Sequence, residues 1–354
     1  MATLTETAYQ TRKAINWAIL AVIAYIILRL LWSIFLSVWL TVFPPKAAPP
    51  NHAFGKLPAV QFPAATASPS AALTFQLETI EGTVPKASES ATVFFMPKLA
   101  SNLLALTKAT EFAKRLEFVN EPIQETKYIY RFEDTDVPLR KLRYDIVSKN
   151  FILRYAFEQD MAVFTERNIP LEDAAKLEAK NMLQTYGIYE DDIEKGTSTV
   201  QYLKLSGDAL VETTSLSQAD SVRVDFFRAP VVGTQIITPY PGEGSISLVF
   251  SGSKNIKKRV LQFAYTFWPI DYQTTATYAL KQSSVAWTEL QNGQGYIAKY
   301  PKTGTTAVIR KVYLAYYDSI EPQTYLQPVF VFEGDDDFLA YVPAVEATWI
   351  DTSK

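Results

Sequence analysis

The sequence predicts an α+β protein: one N-terminal transmembrane helix followed by repeated helix-plus-antiparallel-sheet units. Three observations carry that expectation. An apolar run near the start is longer than any later one, stretches alternating bulky and polar residues fill much of the remainder, and a helix-like segment leads into groups of such stretches about three times.

The apolar run, AINWAILAVIAYIILRLLWSIFLSVWLTVF at 14–43, carries a single charge, Arg29. As a helix its 30 residues measure about 45 Å, more than the roughly 30 Å hydrocarbon core requires. Arg12 and Lys13 abut its start, Pro44 and Pro45 stop it, and Trp17, Trp32 and Trp39 are spaced for headgroup depth. The stretch is about twice the apolar length of a secretory signal, and no small-residue cleavage pattern precedes Pro44, so it reads as an uncleaved signal anchor. Arg12 and Lys13 touch the span, whereas Lys46 and Lys56 are scattered beyond it. That asymmetry predicts a short cytoplasmic tail at 1–13 and a large domain outside a bacterial plasma membrane.

Arg29 has two readings. In one, Lys13 and Arg29, about 24 Å apart along a helix, snorkel to opposite interfaces and leave 30–43 as a helical stalk emerging from the bilayer. In the other, Arg29 stays in the bilayer and pairs with an acid or carbonyl on a partner's helix, since an unpaired cation there costs several kcal/mol. Arg29, Trp17, Trp32 and Trp39 are thus the candidate membrane and partner contacts.

Residues 44–72, PPKAAPPNHAFGKLPAVQFPAATASPSAA, read as a Pro/Ala-rich tether. Three α+β units are then expected, at 73–160, 161–280 and 281–354. In the first, LTFQLETI and ATVFFM are strands, and 99–118 is an amphipathic helix with Leu103, Leu106, Phe112, Ala113 and Leu116 near one face. KYIYRF, LRKLRYDIV and NFILRYAF follow as strands, with Ser148, Lys149 and Asn150 as a turn. In the second, Pro170 opens a helix that runs to Tyr186 and Gly187 ends it; TVQYLKL, SVRVDFFRAP, SISLVF and KRVLQFAYTFW read as strands. In the third, 281–292 is a short helix with Val285, Ala286, Trp287 and Leu290 on its apolar side and Gly293 after it. Trp287 is expected against Leu314 and Val329. TAVIRKVYLAYYD, YLQPVFVFEG and DFLAYVPAV complete the unit as strands.

Composition removes several functions. Hydrophobic residues make up 48% and charged residues 20%, which argues for folded material after the tether. A net charge of −3 without a Lys/Arg-dense block offers nothing to nucleic acid. Zero cysteines exclude disulfides, thiol catalysis, iron-sulfur clusters and thiolate zinc sites. The single histidine, His52, sits in the tether, so Ser-His-Asp and Cys-His catalysis and multi-histidine metal sites are absent. No catalytic residue, cofactor or metal ligand is predicted.

The series AWTELQNGQGYI, IRKVYLAYYDS, YLQPVFVFEGD and AYVPAV, carrying Leu290, Gly293, Tyr313, Leu314, Tyr316, Pro328, Val329, Phe330, Val342 and Ala344, resembles the end of PepSY-like and YycI/YycH-type extracytoplasmic proteins. It covers about 60 residues. The closing Asp-Ala-x-[Thr/Ser]-Gly of a PepSY unit is replaced here by Val-Glu-Ala-Thr-Trp, and 190–280 does not align. The resemblance implies a helix-plus-sheet fold and a non-enzymatic regulator acting on a membrane partner such as a sensor kinase or a peptidase.

Other features read as structure. The acidic run from Glu333 to Asp337 lacks the spacing of a calcium loop and reads as a hairpin turn; Glu190, Asp191, Asp192 and Glu194 read as a solvated cluster. Gly242-Glu-Gly244 is a turn without the Lys-Ser/Thr of a phosphate loop. The 20 tyrosines and 21 phenylalanines read mainly as core. The expected function is a single-pass membrane-anchored extracytoplasmic binding or regulatory protein, whose partners are the lipid bilayer and a membrane or envelope protein. The alternatives are a membrane-tethered carboxylate-dependent cell-wall hydrolase, which needs only two carboxylates, or a structural component of an envelope or secretion assembly.

Overall fold

A computed structural model describes residues 4–42, 49–64, 73–100 and 102–351. It is α+β and mostly sheet. The chain divides into two units, Met1–Ala48 and Pro49–Lys354.

The first unit holds α1 (Leu4–Val42). Among the described residues it is the one helix long and apolar enough to cross a membrane, and none of its Asn16–Ser33 stretch is buried. The side chains of Arg12 and Lys13, and residues Phe43, Pro44, Pro45 and Lys46, lie outside the described part.

In the second unit the chain forms β1 (Leu57–Pro58), β2 (Thr74–Leu77), β3 (Ser90–Phe95), α2 (Ala105–Arg115), β4 (Ile123–Gln124), β5 (Ile129–Glu133), β6 (Arg140–Asp145) and β7 (Phe151–Tyr155). Next come α3 (Glu172–Tyr186), α4 (Asp191–Glu194), β8 (Thr197–Ser206), β9 (Ala209–Thr213), β10 (Ser221–Phe227), β11 (Ile236–Ile237), β12 (Ile246–Ser251), α5 (Ile256–Arg259), β13 (Val260–Tyr265) and β14 (Asp271–Ala279). The last part holds α6 (Ser283–Gln291), β15 (Tyr296–Lys299), β16 (Thr306–Tyr317), β17 (Tyr325–Gly334), β18 (Leu339–Pro343) and β19 (Ile350–Asp351).

One sheet has nine antiparallel strands in the order β4-β5-β6-β7-β13-β12-β10-β8-β9. Period-2 alternation decides its faces. Leu142, Tyr144, Phe151, Leu153, Phe263 and Tyr265 are buried with Ala109, Phe112 and Ala113 of α2 and Ala175, Ala179 and Leu183 of α3. Lys141, Arg143 and Arg154, between them in sequence, are exposed. Gly187 ends α3 in the left-handed conformation, φ 68°, which only glycine adopts freely. The helix begins at Glu172, with Glu172 and Asp173 in a first turn that favours acids.

The other sheet has eight strands, β11-β16-β17-β18-β15 with β2, β3 and β14 attached off that path. It is mixed, because β2 and β11 both run parallel to β16. Phe330 and Phe332 face Ala286 and Leu290 of α6. Val329 and Val331, one step out of phase, join Tyr317 and Tyr341 on the opposite side. Each such side chain contributes about 1.5–3 kcal/mol by leaving water.

Several expectations change. Trp287 is half-buried and meets the rings of Phe332 at 5.9 Å and Phe75 at 6.3 Å; Val329 cannot reach it, because it points to the other face. Val285 is 46% exposed rather than inward. Leu103 precedes α2 and is fully exposed, since the helix starts only at Ala105. The elements do not fall into three consecutive units. β7 from the first expected unit pairs with β13 from the second, and β3 pairs with β14 and β17.

The expected tether is partly a strap. Its described part, 49–64, is fastened to the domain by Leu57, which is fully buried and opposite Ile350 in the β1–β19 pair. His52 stacks on Trp349 at 3.6 Å, Phe62 stacks on Tyr296 at 5.1 Å, and Gln327 donates to the Pro58 carbonyl at 2.8 Å. The apolar residues scattered among the prolines do the fastening; the composition concealed them. Residues 65–72 lie outside the described part.

Candidate functional site

Where the β3→α2 and β13→β14 connections cross between the sheets, they leave two contiguous hollows. The smaller, about 330 Å³, is lined by Met96, Pro97, Lys98 and Leu99 after β3, Asp145, Val147 and Ser148 at the β6–β7 turn, Tyr128, Trp268, Pro322 and Gln323. The larger, about 830 Å³, shares Leu99, Val147 and Ser148 with it and runs along α2 to the end of α3.

The floor of the larger hollow is aromatic. Tyr144 lies parallel to Phe151 at 6.0 Å, and Phe151 lies parallel to Tyr265 at 5.4 Å. Sheet register explains the row: Tyr144 opposes Phe151 across β6–β7, and Phe151 opposes Tyr265 across β7–β13. Phe112 of α2 packs over it, 5.0 Å from Phe151 and 6.0 Å from Tyr186. Burial pushes the Tyr144 hydroxyl up to about 12 and raises Tyr186 and Tyr265 as well, so all three stay protonated donors near neutrality. Among the described residues none hydrogen-bonds these three hydroxyls. The rim carries exposed Lys108, Arg115 and Lys149 and exposed Glu111 and Glu190. Such a surface can pack an apolar or planar group, hydrogen-bond its polar edge and attract negative charge.

A buried ionic knot supports the site. Arg228, 1% exposed at its side chain, donates to Asp318 at 2.7 Å, to Asp192 at 2.9 Å and to the Trp268 carbonyl at 2.6 Å. Its guanidinium lies 4.2 Å over Phe267. Burial raises the Asp318 carboxyl, and the Arg228 charge opposes that rise. Arg228 follows β10 and Asp318 follows β16, so the knot joins the two sheets and holds Phe267 and Trp268 in the walls of the hollows.

The four residues singled out from the sequence lie on α1. Trp17, Trp32 and Trp39 are 66%, 63% and 50% exposed, and Arg29 is exposed. Trp32, Phe35 and Trp39 form a row with ring centroids 5.9 and 5.7 Å apart. The acidic runs prove mainly structural. Glu333, Asp335 and Asp337 pair with Lys311, Arg310 and Lys302 around the β17–β18 turn. Asp192 departs from the solvated cluster by joining Arg228. Gly244 follows the turn at Gly242 and lies against the β10 backbone, where its N–H donates to the Asp225 carboxylate at 2.9 Å and a Cβ would lie 2.3 Å from the Phe226 carbonyl oxygen. Among the described residues no group of three or more acidic or histidine side chains could hold a metal ion. The sequence reading missed the cleft: Phe112, Tyr144, Phe151 and Tyr265 carry the alternation of core residues, and only the gap beside α2 distinguishes them.

No protein-family model matches the chain, and no curated protein sequence does. Nine chains of solved structures match it. One is an uncharacterized protein from Eubacterium rectale, 14% identical, covering 69% of this chain and 76% of that one, with a TM-score of 0.38. At that score the likeness carries no argument about fold or function.

Proposed function

We propose that the chain is a single-pass bacterial membrane protein, N-terminus inside, whose folded domain lies outside and binds and restrains a membrane or envelope protein, with the cleft beside α2 as the contact. The observation that carries this reading is the cleft itself: stacked rings, three tyrosine hydroxyls without a hydrogen-bond partner among the described residues, and a rim with three cations. The length and apolarity of α1 support the anchor, and Arg12 and Lys13 support its orientation. The C-terminal resemblance to PepSY-like and YycI/YycH-type regulators agrees in kind.

The rival is a carboxylate-dependent hydrolase, because Glu111 and Glu190 both line the cleft. Both are exposed, whereas a general acid needs a site that keeps it protonated near neutrality. Asp145, the acid of the smaller hollow, is committed to accepting the Val147 and Ser148 N–H groups of its turn.

Photo-cross-linking in intact cells tests the reading. A photoreactive residue at Arg115 or Lys149 should trap a discrete protein adduct, and one at Lys311 on β16 should not. Adducts from all three positions alike, or from none, would rule out the cleft as the contact.

A further inference from the structure

We infer that the turn ahead of α2 is a second membrane contact, in which Leu103 and Leu104 enter the headgroup boundary of an anionic bilayer beside Lys98 and Lys108. Leu103 is fully exposed, Leu104 is 61% exposed and Leu99 is 39% exposed. Isolated exposed leucines are ordinary on a protein surface, but three within six positions make a patch.

The turn is built to present them. The Asn102 carboxamide oxygen accepts the Leu104 N–H at 2.9 Å, and its carbonyl accepts the Ala105 N–H at 3.1 Å. The helix begins directly behind, so both leucines stay on its outer end while Ala105 and Ala109 turn into the core. The charges nearest the leucines in sequence are basic. Between Glu89 and Glu111 the sequence has no acid, and its only charges are Lys98 and Lys108. Leucines flanked by lysines are the composition of an interfacial segment, with apolar tips below the headgroups and ammonium groups among the phosphates.

A bilayer is favoured over a protein as the occupant by the length of chain that leads to the domain. Six residues separate Val42 of α1 from Pro49, where the folded unit begins. Even fully extended they reach about 25 Å, or about 45 Å from the lipid where 30–42 stands out of the bilayer as a stalk. The inference rests on the reading of α1 as a membrane span, which then keeps the domain within reach of the lipid surface. The same turn borders the larger hollow through Asn102, Ala105 and Lys108, so its insertion would bring the mouth of the cleft to the membrane, where a membrane-embedded partner is.

The absence of cysteine allows a single reporter. Full-length protein is reconstituted into phosphatidylcholine vesicles containing phosphatidylglycerol, with a polarity-sensitive fluorophore on Leu103→Cys, on Ile23→Cys in α1, or on Ile80→Cys, which is fully exposed elsewhere on the domain. The Leu103 and Ile23 probes should both shift to the blue and be quenched by spin-labelled lipid, while the Ile80 probe stays water-like. Replacing Lys98 and Lys108 by Glu, or omitting phosphatidylglycerol, should weaken the Leu103 quenching and leave that of Ile23 unchanged. A quenched Ile23 with a water-like Leu103 would overturn the inference and leave the span standing. A blue-shifted Leu103 probe that lipid quenchers do not reach would mean that protein covers the turn, and would overturn it too. An unquenched Ile23 would remove the span and this inference together.

Discussion

Arg228 and Asp318, ninety positions apart in the chain, meet at 2.7 Å where the nine-stranded and eight-stranded sheets join. Neither charge has water to fall back on, since their side chains are 1% and 3% exposed. Arg228→Met leaves Asp318 buried and uncompensated, so it should cost about 3–5 kcal/mol. The double variant with Asp318→Leu should lose less than the single one. Urea unfolding in mild detergent reads both. A double variant that is worse than Arg228→Met would show that packing, and not charge, holds this junction.

The α6 contact can be tested by position. Leu290 is 1% exposed and Val285 is 46% exposed. Leu290→Ala should cost about 2–5 kcal/mol, and Val285→Ala should stay within about 0.5 kcal/mol of wild type. Equal losses from the two would place the helix face differently.

Acid should weaken the domain in part through Asp160. The Lys258 ammonium, 2.7 Å away, and the Tyr155 hydroxyl hold its carboxyl below the usual carboxylate range. A carboxylate depressed in the folded state contributes stability that is fully present above its unfolded value, near about 3.9, and is lost as pH falls through the folded value. This contribution should therefore be constant from pH 7 down to about 5 and fall away below about 4. Asp160→Asn should be less stable than wild type at pH 7 and lose less on acidification. Parallel stability curves for the two proteins would contradict the assignment.

The elements legible in the sequence were those with strong local periodicity. β6 and β7 alternate clearly, β12, β17 and β18 read instead as nearly continuous apolar runs, and Gly187 and Gly293 mark two helix ends with positive φ. β14 was missed because DYQTTATYA carries few bulky residues, although Ala276 and Tyr278 are buried against β3. Pairings such as β3 with β14 and β17 join residues far apart in sequence, which no local pattern encodes. The same limit hid the cleft. Tyr144, Phe151 and Tyr265 look identical to core residues, and are nearly buried under Phe112 of α2; only their edges reach the hollow beside that helix, which register and not local pattern decides. Leu103 misled for the opposite reason: it fits the helical face by spacing, but the Asn102 turn delays the helix past it.

Arg29 is the only charge in 14–43 and stands three positions before Trp32. If it pairs with a partner's helix, Arg29→Leu should still insert but recover less partner on purification, because the partner's acid is left desolvated. Arg29→Lys should retain more of the interaction, though without the planar five-donor fork. Equal recovery from all three proteins would leave snorkelling as the sufficient account of this arginine.

The most direct measurement is side-specific labelling of single cysteines in intact cells with a membrane-impermeant maleimide. Lys311→Cys, exposed on the domain, should label at once, and Thr5→Cys at the start of α1 should label only after permeabilisation, with both proteins remaining in the membrane fraction. The reverse pattern, or a domain released from the membrane with residues 1–43 removed, would contradict an anchored protein that acts on the outside.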